Sequence, residues 1–368
     1  MNQYKSFVKV RLMWCKTTKN KAYSITEDNV LPLESQNPAY RSNYNASQAV
    51  LNLGKDWIHK CLTSHPNFKA NDESFKAPTR LLDVSKFRET HGARLVQSDA
   101  LPDRIQYVTL SYCWGKTSDV HYPLRFVEAN KSQFEEHIPA AAVPLTIAHE
   151  MEVAYGLVFS YLWVDSLCII QDSDEDQTKQ FGLMGKIYRH STCTIAVTTA
   201  RNSREGFLQR RDPLRFTLCR VSGTMTQGVF VRQSSAMGTP SKIREEQIDN
   251  APLNERDWVV QERLLSPRTL HFGLHGIIFW ECETREAYGG RPDGIVAEQA
   301  SDHIRNALRM LLREPLPSHD HDLRWGPLSF QYQRQQKKPK KFYRPARELL
   351  WSTFNDAWNV KKVTRITS

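Results

Sequence analysis

A carboxylate stands in the middle of an apolar stretch, YLWVDSLCIIQDSDEDQ, that runs from Tyr161 to Gln177. This residue, Asp165, is the first candidate for chemistry, because burying an unpaired carboxylate costs several kcal/mol or forces the group to become neutral. We therefore expect Asp165 either to have a cationic partner or to be a functional acid. The ion pair is the favoured interpretation, with Arg256 or Arg263 as the partner.

A second acid, Glu262, lies in the segment QERLL between Gln261 and Arg263. On a helix these three side chains leave from one turn, so an acid, an amide and a guanidinium are presented together. An ordinary charged helix surface would look the same. Arg256 and Arg263 could bind a phosphate bidentately or pair with Asp165 and Glu262, which are the two candidate catalytic carboxylates.

Polar and aromatic residues follow a predicted strand in IQYVTLSYCWG. Four candidate ligand-binding residues stand where this strand meets its loop: Ser111, Tyr112, Trp114 and Gly115. Gly115 permits close approach of a backbone, and Trp114 can stack on a base, with an aromatic plug at the end of the sheet as the alternative. Trp163 shares a face with Asp165 by strand alternation, and it is either part of the core or a further stacking platform.

In the middle of the chain the spacing of apolar residues alternates between strand-like and helix-like periods. These periods indicate which strands and helices position the candidate residues. Runs around Val108 and over residues 191–200 predict strands, and LTIAHEMEVAYGL predicts a helix ending near Gly156. The apolar run over residues 162–170 predicts a central strand, and the polar cluster Asp172, Ser173 and Asp174 behind it predicts the N-cap of the next helix. Alternating strands and helices are typical of an α/β domain with a mostly parallel sheet flanked by helices.

The predicted architecture indicates where ligands should bind. In open α/β sheets the ligand lies at the carboxyl ends of the strands, which here are Ser111–Gly115 and the segment after Ile170. Further on, ERDWVVQERLLSPRTLHFGLHGIIFWEC predicts a helix that stops at Ser266–Pro267. An added β-hairpin of RTLHF against IIFWEC follows it.

Composition favours a globular intracellular protein. The 368 residues are 40% hydrophobic and 10% aromatic, which is sufficient for a packed core. Lys9 and Arg11 interrupt the N-terminal apolar residues and no run of about 20 apolar residues occurs, so we expect neither a signal peptide nor membrane association. The seven cysteines are scattered without a C-x-x-C pair and predict reduced, mostly buried thiols. Cys61 and His65 have no second ligand pair, and we predict no metal site.

Pattern and charge divide the chain into four parts. These are a poorly patterned N-terminal segment (1–55), a lead-in segment (56–104), the patterned domain (105–282) and a basic, loop-rich C-terminal segment (283–368). Much of the net charge of +10 lies in residues 334–347, RQQKKPKKFYRPAR. A solvated tail is favoured there, with nuclear targeting through Lys337–Lys341 or nucleic-acid attraction as alternatives. Nucleic-acid binding is the weakest, because the charges are not interleaved with aromatic residues on a known binding fold.

Three phrases, in this order, resemble the signature blocks of the fungal heterokaryon-incompatibility (HET) domain. They are YVTLSYCWG, YLWVDSLCIIQDSDED followed by MGKIYRHSTCTIAVTTA, and ERDWVVQERLLSPRTLHF. The resemblance spans about Ile105 to Cys282, and APTRLLDV and REGFLQRRDPL also resemble HET-protein phrases. It implies a cytoplasmic fungal protein of non-self recognition and innate immunity that triggers growth arrest or programmed cell death. Such a protein acts through protein partners, or as a homo-oligomer.

The HET domain is also thought to be distantly TIR-like, and enzymatic TIR domains cleave NAD. This relationship implies a TIR-like or flavodoxin-like sheet, no required cofactor, and NAD as a substrate. Cleaving the nicotinamide–ribose bond passes through a ribosyl cation, which needs a carboxylate, donors for phosphate and an aromatic platform. Glu262 and Asp165 would be the acids. The ligand-binding residues would be Ser111, Tyr112, Trp114, Gly115, Trp163, Arg256, Gln261 and Arg263.

The chain departs from the family pattern at one place. HET domains commonly carry a Trp and, three residues later, a Glu where this sequence has Gln177 and Gln180. A neutral amide cannot stabilise a ribosyl cation as an anion does. We therefore expect an effector or regulator acting through partners, and an NAD⁺ nucleosidase (a hydrolase) is the alternative.

Overall fold

The structure is a computed structural model. It describes residues 10–14, 39, 42–64, 75, 77–103, 105–115, 124–211, 219–223, 228–233, 244–256, 259–282, 284–288 and 291–296. The basic run 334–347 and Lys337–Lys341 lie outside the described residues.

Strands make up much of the described chain. They are β1 Val10–Trp14, β2 Arg80–Asp83, β3 Gly92–Gln97, β4 Tyr107–Ser111, β5 Ile138–Pro139, β6 Tyr161–Trp163, β7 Cys193–Val197, β8 Cys219–Gly223, β9 Gly228–Gln233, β10 Arg268–Phe272, β11 Ile278–Cys282, β12 Arg285–Tyr288 and β13 Arg291–Val296. The α-helices are α1 Gln48–Ser64, α2 Phe87–Thr90, α3 Lys131–Glu136, α4 Leu145–Gly156, α5 Asp165–Cys168, α6 Asp174–His190 and α7 Val259–Leu265. Shorter helical turns cover Ser98–Ala100, Glu128–Asn130, Glu245–Asp249, Pro252–Glu255 and Leu274–Gly276.

A ten-stranded sheet organises the domain, in the order β13-β12-β11-β10-β7-β4-β6-β2-β3-β5. The α/β class is confirmed, but the prediction of a mostly parallel sheet is wrong. Only the central strands β6, β4, β7 and β10 run parallel to one another. The strands added on both sides pair antiparallel. On one side, short connections join β10 to β11, β11 to β12 and β12 to β13, and antiparallel neighbours need no crossover helix. A separate antiparallel sheet has the order β1-β9-β8.

Several predicted elements are confirmed near their expected bounds. Helix α4 ends at Gly156, and α6 begins after its N-cap Ser173, whose side chain accepts a hydrogen bond from Asp176 N at 3.3 Å. The predicted hairpin is the antiparallel pair β10 and β11. The predicted strand over 162–170 is too long, because β6 ends at Trp163 and the short helix α5 begins at Asp165.

The two faces of the central sheet differ in chemistry. Helices α1 and α4 cover one face with apolar contacts, among them Gly54 of α1 against Leu270 and a Trp57–Trp280 pair with ring centroids 6.4 Å apart. Burying a large apolar side chain contributes about 1.5–3 kcal/mol. Helices α6 and α7 cover the other face, where Tyr107 Oη donates to Ile187 O at 2.7 Å.

The cysteines belong to this core. The described thiols are reduced and buried, as predicted: Cys61, Cys113, Cys168, Cys193 and Cys282. Cys15 and Cys219 lie where the side chains are not described.

Candidate functional site

The carboxyl end of β4 leads from buried residues to an exposed turn. Ser111, its last residue, is buried, and so is Tyr112, whose hydroxyl lies 2.8 Å from Ser166 Oγ. Trp114 is half-buried, and Gly115 is exposed with a φ of 101°. That φ lies in the region that favours glycine, so a side chain at position 115 would strain the turn.

Asp165 begins α5 and is half-buried beside this turn. Its Oδ1 accepts a hydrogen bond from Ser166 N at 2.7 Å, and Trp114 Nε1 lies 2.9 Å from Oδ2 and 3.1 Å from Oδ1. Burial raises the pKa of Asp165, while the positive charge of Arg256 and these donors oppose the rise. The main partners of Asp165 are therefore an indole and a backbone amide.

Glu262 projects from α7 toward β4 and is 2% exposed. One carboxylate oxygen accepts a hydrogen bond from Ser111 Oγ, and the other lies 3.9 Å from Arg256 Nη1. The same Nη1 donates to Tyr112 O. Burial raises the pKa of Glu262, Arg256 and Ser111 lower it, and the negative charge of Asp165 adds to the rise.

Arg256 thus interacts electrostatically with both candidate acids. Its side chain is 26% exposed, and the two carboxylates raise its pKa against the lowering effect of burial. With one guanidinium for two carboxylates, the cluster would carry one net negative charge if both acids are ionised. Such a site favours a cation or a developing positive charge near its accessible edge, where Asp165 and Trp114 lie.

Two predicted site residues do not join the cluster. Arg263 points away from Glu262 and bonds to Glu281 Oε2 at 2.9 and 3.1 Å and to Asp249 Oδ1 at 3.2 Å. Of the two arginines predicted as alternative partners of Asp165, Arg263 does not pair with it, because Glu281 and Asp249 hold its guanidinium. Successive residues on a helix leave about 100° apart, so Arg263 also points away from Glu262. Trp163 is fully buried against Tyr188, with ring centroids 5.7 Å apart, and belongs to the core.

The prediction that Trp163 shares a strand face with Asp165 is also wrong, since the strand ends at Trp163 and Asp165 is helical. Gln261 lies in α7, but its side chain is outside the described ones.

Sequence reasoning missed a chain of hydroxyl groups beneath α7. Thr109 Oγ1 lies 2.6 Å from Thr194 Oγ1, which lies 2.5 Å from Ser266 Oγ, and Ser266 in turn donates to Glu262 O at 2.6 Å. The signal was present as alternation: Thr109 and Ser111 are two apart in YVTLS, and Thr194 and Thr198 are four apart in CTIAVTT, so each pair lies on one face of its strand, opposite residues such as Leu110 and Ile195. Polar residues at alternate positions of strands that are buried on both sides indicate this row of hydroxyl groups, which we call the polar seam.

The two glutamines that depart from the family pattern lie in a different network. Gln180 is 1% exposed, and its Nε2 donates to Thr79 Oγ1 at 3.1 Å and to Asp176 Oδ1 at 3.2 Å. Asp176 also accepts from Arg80 Nη2 and from Ile170 N. Gln177 Nε2 donates to the backbone oxygen of Gln171 at 2.8 Å. Both amides are thus hydrogen-bond donors that fix the segment behind α5.

Among the described residues, no group of three or more His, Cys, Asp or Glu side chains is arranged to hold a metal ion, and His65 lies outside these residues. Within the same residues, none of the helices is long and apolar enough to span a bilayer.

The mixed sheet and the carboxylate–guanidinium cluster define an α/β domain whose polar site is assembled from three separate sequence blocks. The family model described as heterokaryon incompatibility protein (HET) matches residues 107–262, from the first residue of β4 to Glu262. Residues 107–262 thus match the heterokaryon-incompatibility family, which confirms the resemblance predicted from the three phrases, while the TIR-like relationship stays a prediction. The match connects this part of the chain with heterokaryon incompatibility. No curated protein and no solved structure matches the chain.

Proposed function

We propose that the protein is an effector or regulator of programmed cell death in fungal non-self recognition and innate immunity, acting in the cytoplasm through protein partners. The observation that carries the proposal is the HET-domain match over residues 107–262. The contacts of Glu262 support a partner-mediated role. This acid is 2% exposed and engaged by Ser111 and Arg256, so acting on a substrate would require breaking contacts that hold α7 on the sheet.

The test of this role is a genetic one. Strains that carry and lack the gene are paired, and death of fused cells is scored by vital-dye uptake alongside colony growth during induced expression. We expect induced expression or an incompatible pairing to arrest growth, and deletion to abolish the arrest. If deletion leaves every pairing unchanged and induction leaves growth normal, the proposal fails.

A second candidate function is cleavage of NAD, which follows from the proposed TIR relationship. The specific observation in its favour is the half-buried pair of Asp165 and Trp114 beside exposed Gly115. A carboxylate suits the cationic ribosyl group, and an aromatic ring suits a base. In this mechanism Asp165 stabilises the ribosyl cation, and the charge of buried Glu262 adds to the electrostatic stabilisation of that cation.

Nicotinamide release from NAD at high protein concentration tests this candidate. The samples are wild type, Asp165→Asn and Glu262→Gln, with Glu150→Gln as a matched change of a buried acid on α4 outside the cluster. Activity that is lost in Asp165→Asn and kept in Glu150→Gln supports catalysis by this site. If wild type releases no nicotinamide, the NAD-cleaving function is ruled out. If Glu262→Gln keeps full activity, a catalytic role for the Glu262 carboxylate is ruled out.

Light scattering on the same samples reports whether the active form is a homo-oligomer, since self-assembly belongs to the proposal.

Nucleic-acid binding stays the weakest alternative. It predicts RNA affinity that falls with salt and disappears on deletion of residues 334–347. Unchanged affinity after the deletion would remove that segment from consideration.

A further inference from the structure

A small cavity lies between α7 and the sheet, next to the Ser111–Glu262 contact. Its volume is about 10 Å³, which is space for a single water molecule. Its wall includes polar side chains from three neighbouring parallel strands and their ends: Ser111, Thr194, Thr198, Thr269 and His271. Such a polar wall at the centre of a sheet is the setting in which buried water is found.

Two buried polar atoms of this wall lack a hydrogen-bond partner among the residues that the structure describes. They are Thr269 Oγ1 and His271 Nδ1, on side chains 1% and 2% exposed. The two residues are two apart on β10 and therefore share a face of the strand. Native structures rarely leave such groups unpaired, so a partner is required.

The neighbours of His271 decide what kind of partner it needs. His271 Nε2 lies 3.3 Å from Glu281 Oε2, an oxygen that Arg263 Nη2 holds at 2.9 Å. An ionised carboxylate only accepts, which assigns the ring hydrogen to Nε2 and leaves Nδ1 as an acceptor. Burial lowers the pKa of His271, in keeping with a neutral ring. The missing partner of Nδ1 is therefore a hydrogen-bond donor.

We propose that the cavity is a binding site for one ordered water molecule, which donates a hydrogen bond to His271 Nδ1 and forms a second with Thr269 Oγ1. A water satisfies both atoms because it donates and accepts in a space that admits nothing larger. It extends the polar seam from Ser111 and Glu262 to His271, Glu281 and Arg263. The proposal does not depend on the biological role of the HET domain.

The test combines a high-resolution structure with a solution measurement on the full chain. We expect electron density for one water within hydrogen-bond distance of both atoms. Oxygen-17 relaxation dispersion should count one fewer long-lived water in Thr269→Val than in wild type. Thr109→Val is the matched control, because Thr109 bonds to Thr194 and does not line the cavity, so its count should equal that of wild type.

Three outcomes would overturn the proposal. They are a dry cavity, a side chain from elsewhere bonded to His271 Nδ1, and an unchanged water count in Thr269→Val. If that variant does not fold, the nitrogen-15 spectrum of His271 in wild type gives a second decision. The one-bond N–H doublet must belong to Nε2, and a doublet on Nδ1 would contradict the arrangement.

Discussion

Trp114 Nε1 lies 2.9 Å from Asp165 Oδ2 and 3.1 Å from Asp165 Oδ1, so one indole N–H is shared by both oxygens of the carboxylate. The contact joins the segments after β4 and β6, which are parallel neighbours and end at the same edge of the sheet. Asp165, the carboxylate within the apolar run, is thus held mainly by a neutral hydrogen-bond donor, the indole of Trp114. The guanidinium of Arg256 acts on it only through its charge.

Trp114→Phe should lower the free energy of unfolding by about 1–3 kcal/mol, because it leaves a half-buried carboxylate with one donor fewer. Urea denaturation measures the change. Adding Asp165→Asn in the Trp114→Phe background should cost less than it does in wild type, since the shared interaction is already gone. Additive effects of the two substitutions would contradict the coupling.

Ser111→Ala and Glu262→Gln should be coupled. Each removes one side of a buried contact between β4 and α7, and each should cost about 1–3 kcal/mol of unfolding free energy. The double variant should be more stable than the sum of the single losses predicts, by about 0.5–3 kcal/mol. A coupling energy of zero would mean that the contact does not anchor α7.

Glu150 should make the protein less stable as the pH rises. It is 0% exposed on α4, both oxygens lack a partner among the described residues, and burial raises its pKa well above the ordinary value. Above a pH of about 4.5 the unfolded chain releases a proton that the folded chain keeps. Unfolding free energy then falls by about 1.4 kcal/mol per pH unit until the folded pKa is reached.

Glu150→Gln should remove this dependence and leave a flatter profile of urea midpoints between pH 5 and about 8. The exposed Glu136→Gln is the control and should keep the wild-type slope. Equal slopes in wild type and Glu150→Gln would show that Glu150 is stabilised as an anion by a group outside the described residues.

Gln180→Glu, which introduces the acid that the family resemblance predicts at this position, should destabilise the fold at neutral pH. It replaces a donor by a carboxylate 3.2 Å from the acceptor Asp176 Oδ1, and like charges at that distance repel. We expect a loss of about 1–3 kcal/mol that diminishes as the pH falls toward 4. Gln177→Glu, which faces a backbone oxygen, should lack the repulsion between two carboxylates. A Gln180→Glu variant more stable than wild type would contradict this account.

Local sequence patterns predicted the elements better than their arrangement. Apolar spacing identified α4, and the polar cluster Asp172–Asp174 identified the start of α6, because each signal is carried by residues close together in sequence. The structure then assigned the N-cap to Ser173. Helix α1 was not predicted, although Trp57 and Cys61 face inward one turn apart. The antiparallel edges of the sheet were also not predicted, since strand pairing joins residues far apart in sequence.

The sequence by itself determined the family, the α/β class and the set of residues at the ends of β4 and β6. Only the tertiary structure decided that Glu262 turns inward to Ser111 while its neighbour Arg263 turns to Glu281. The physical reason is rotation along the helix: adjacent residues point about 100° apart, so the strands beneath α7 decide which one reaches the cluster. Packing likewise assigned Asp165 an indole donor that no local spacing could have indicated.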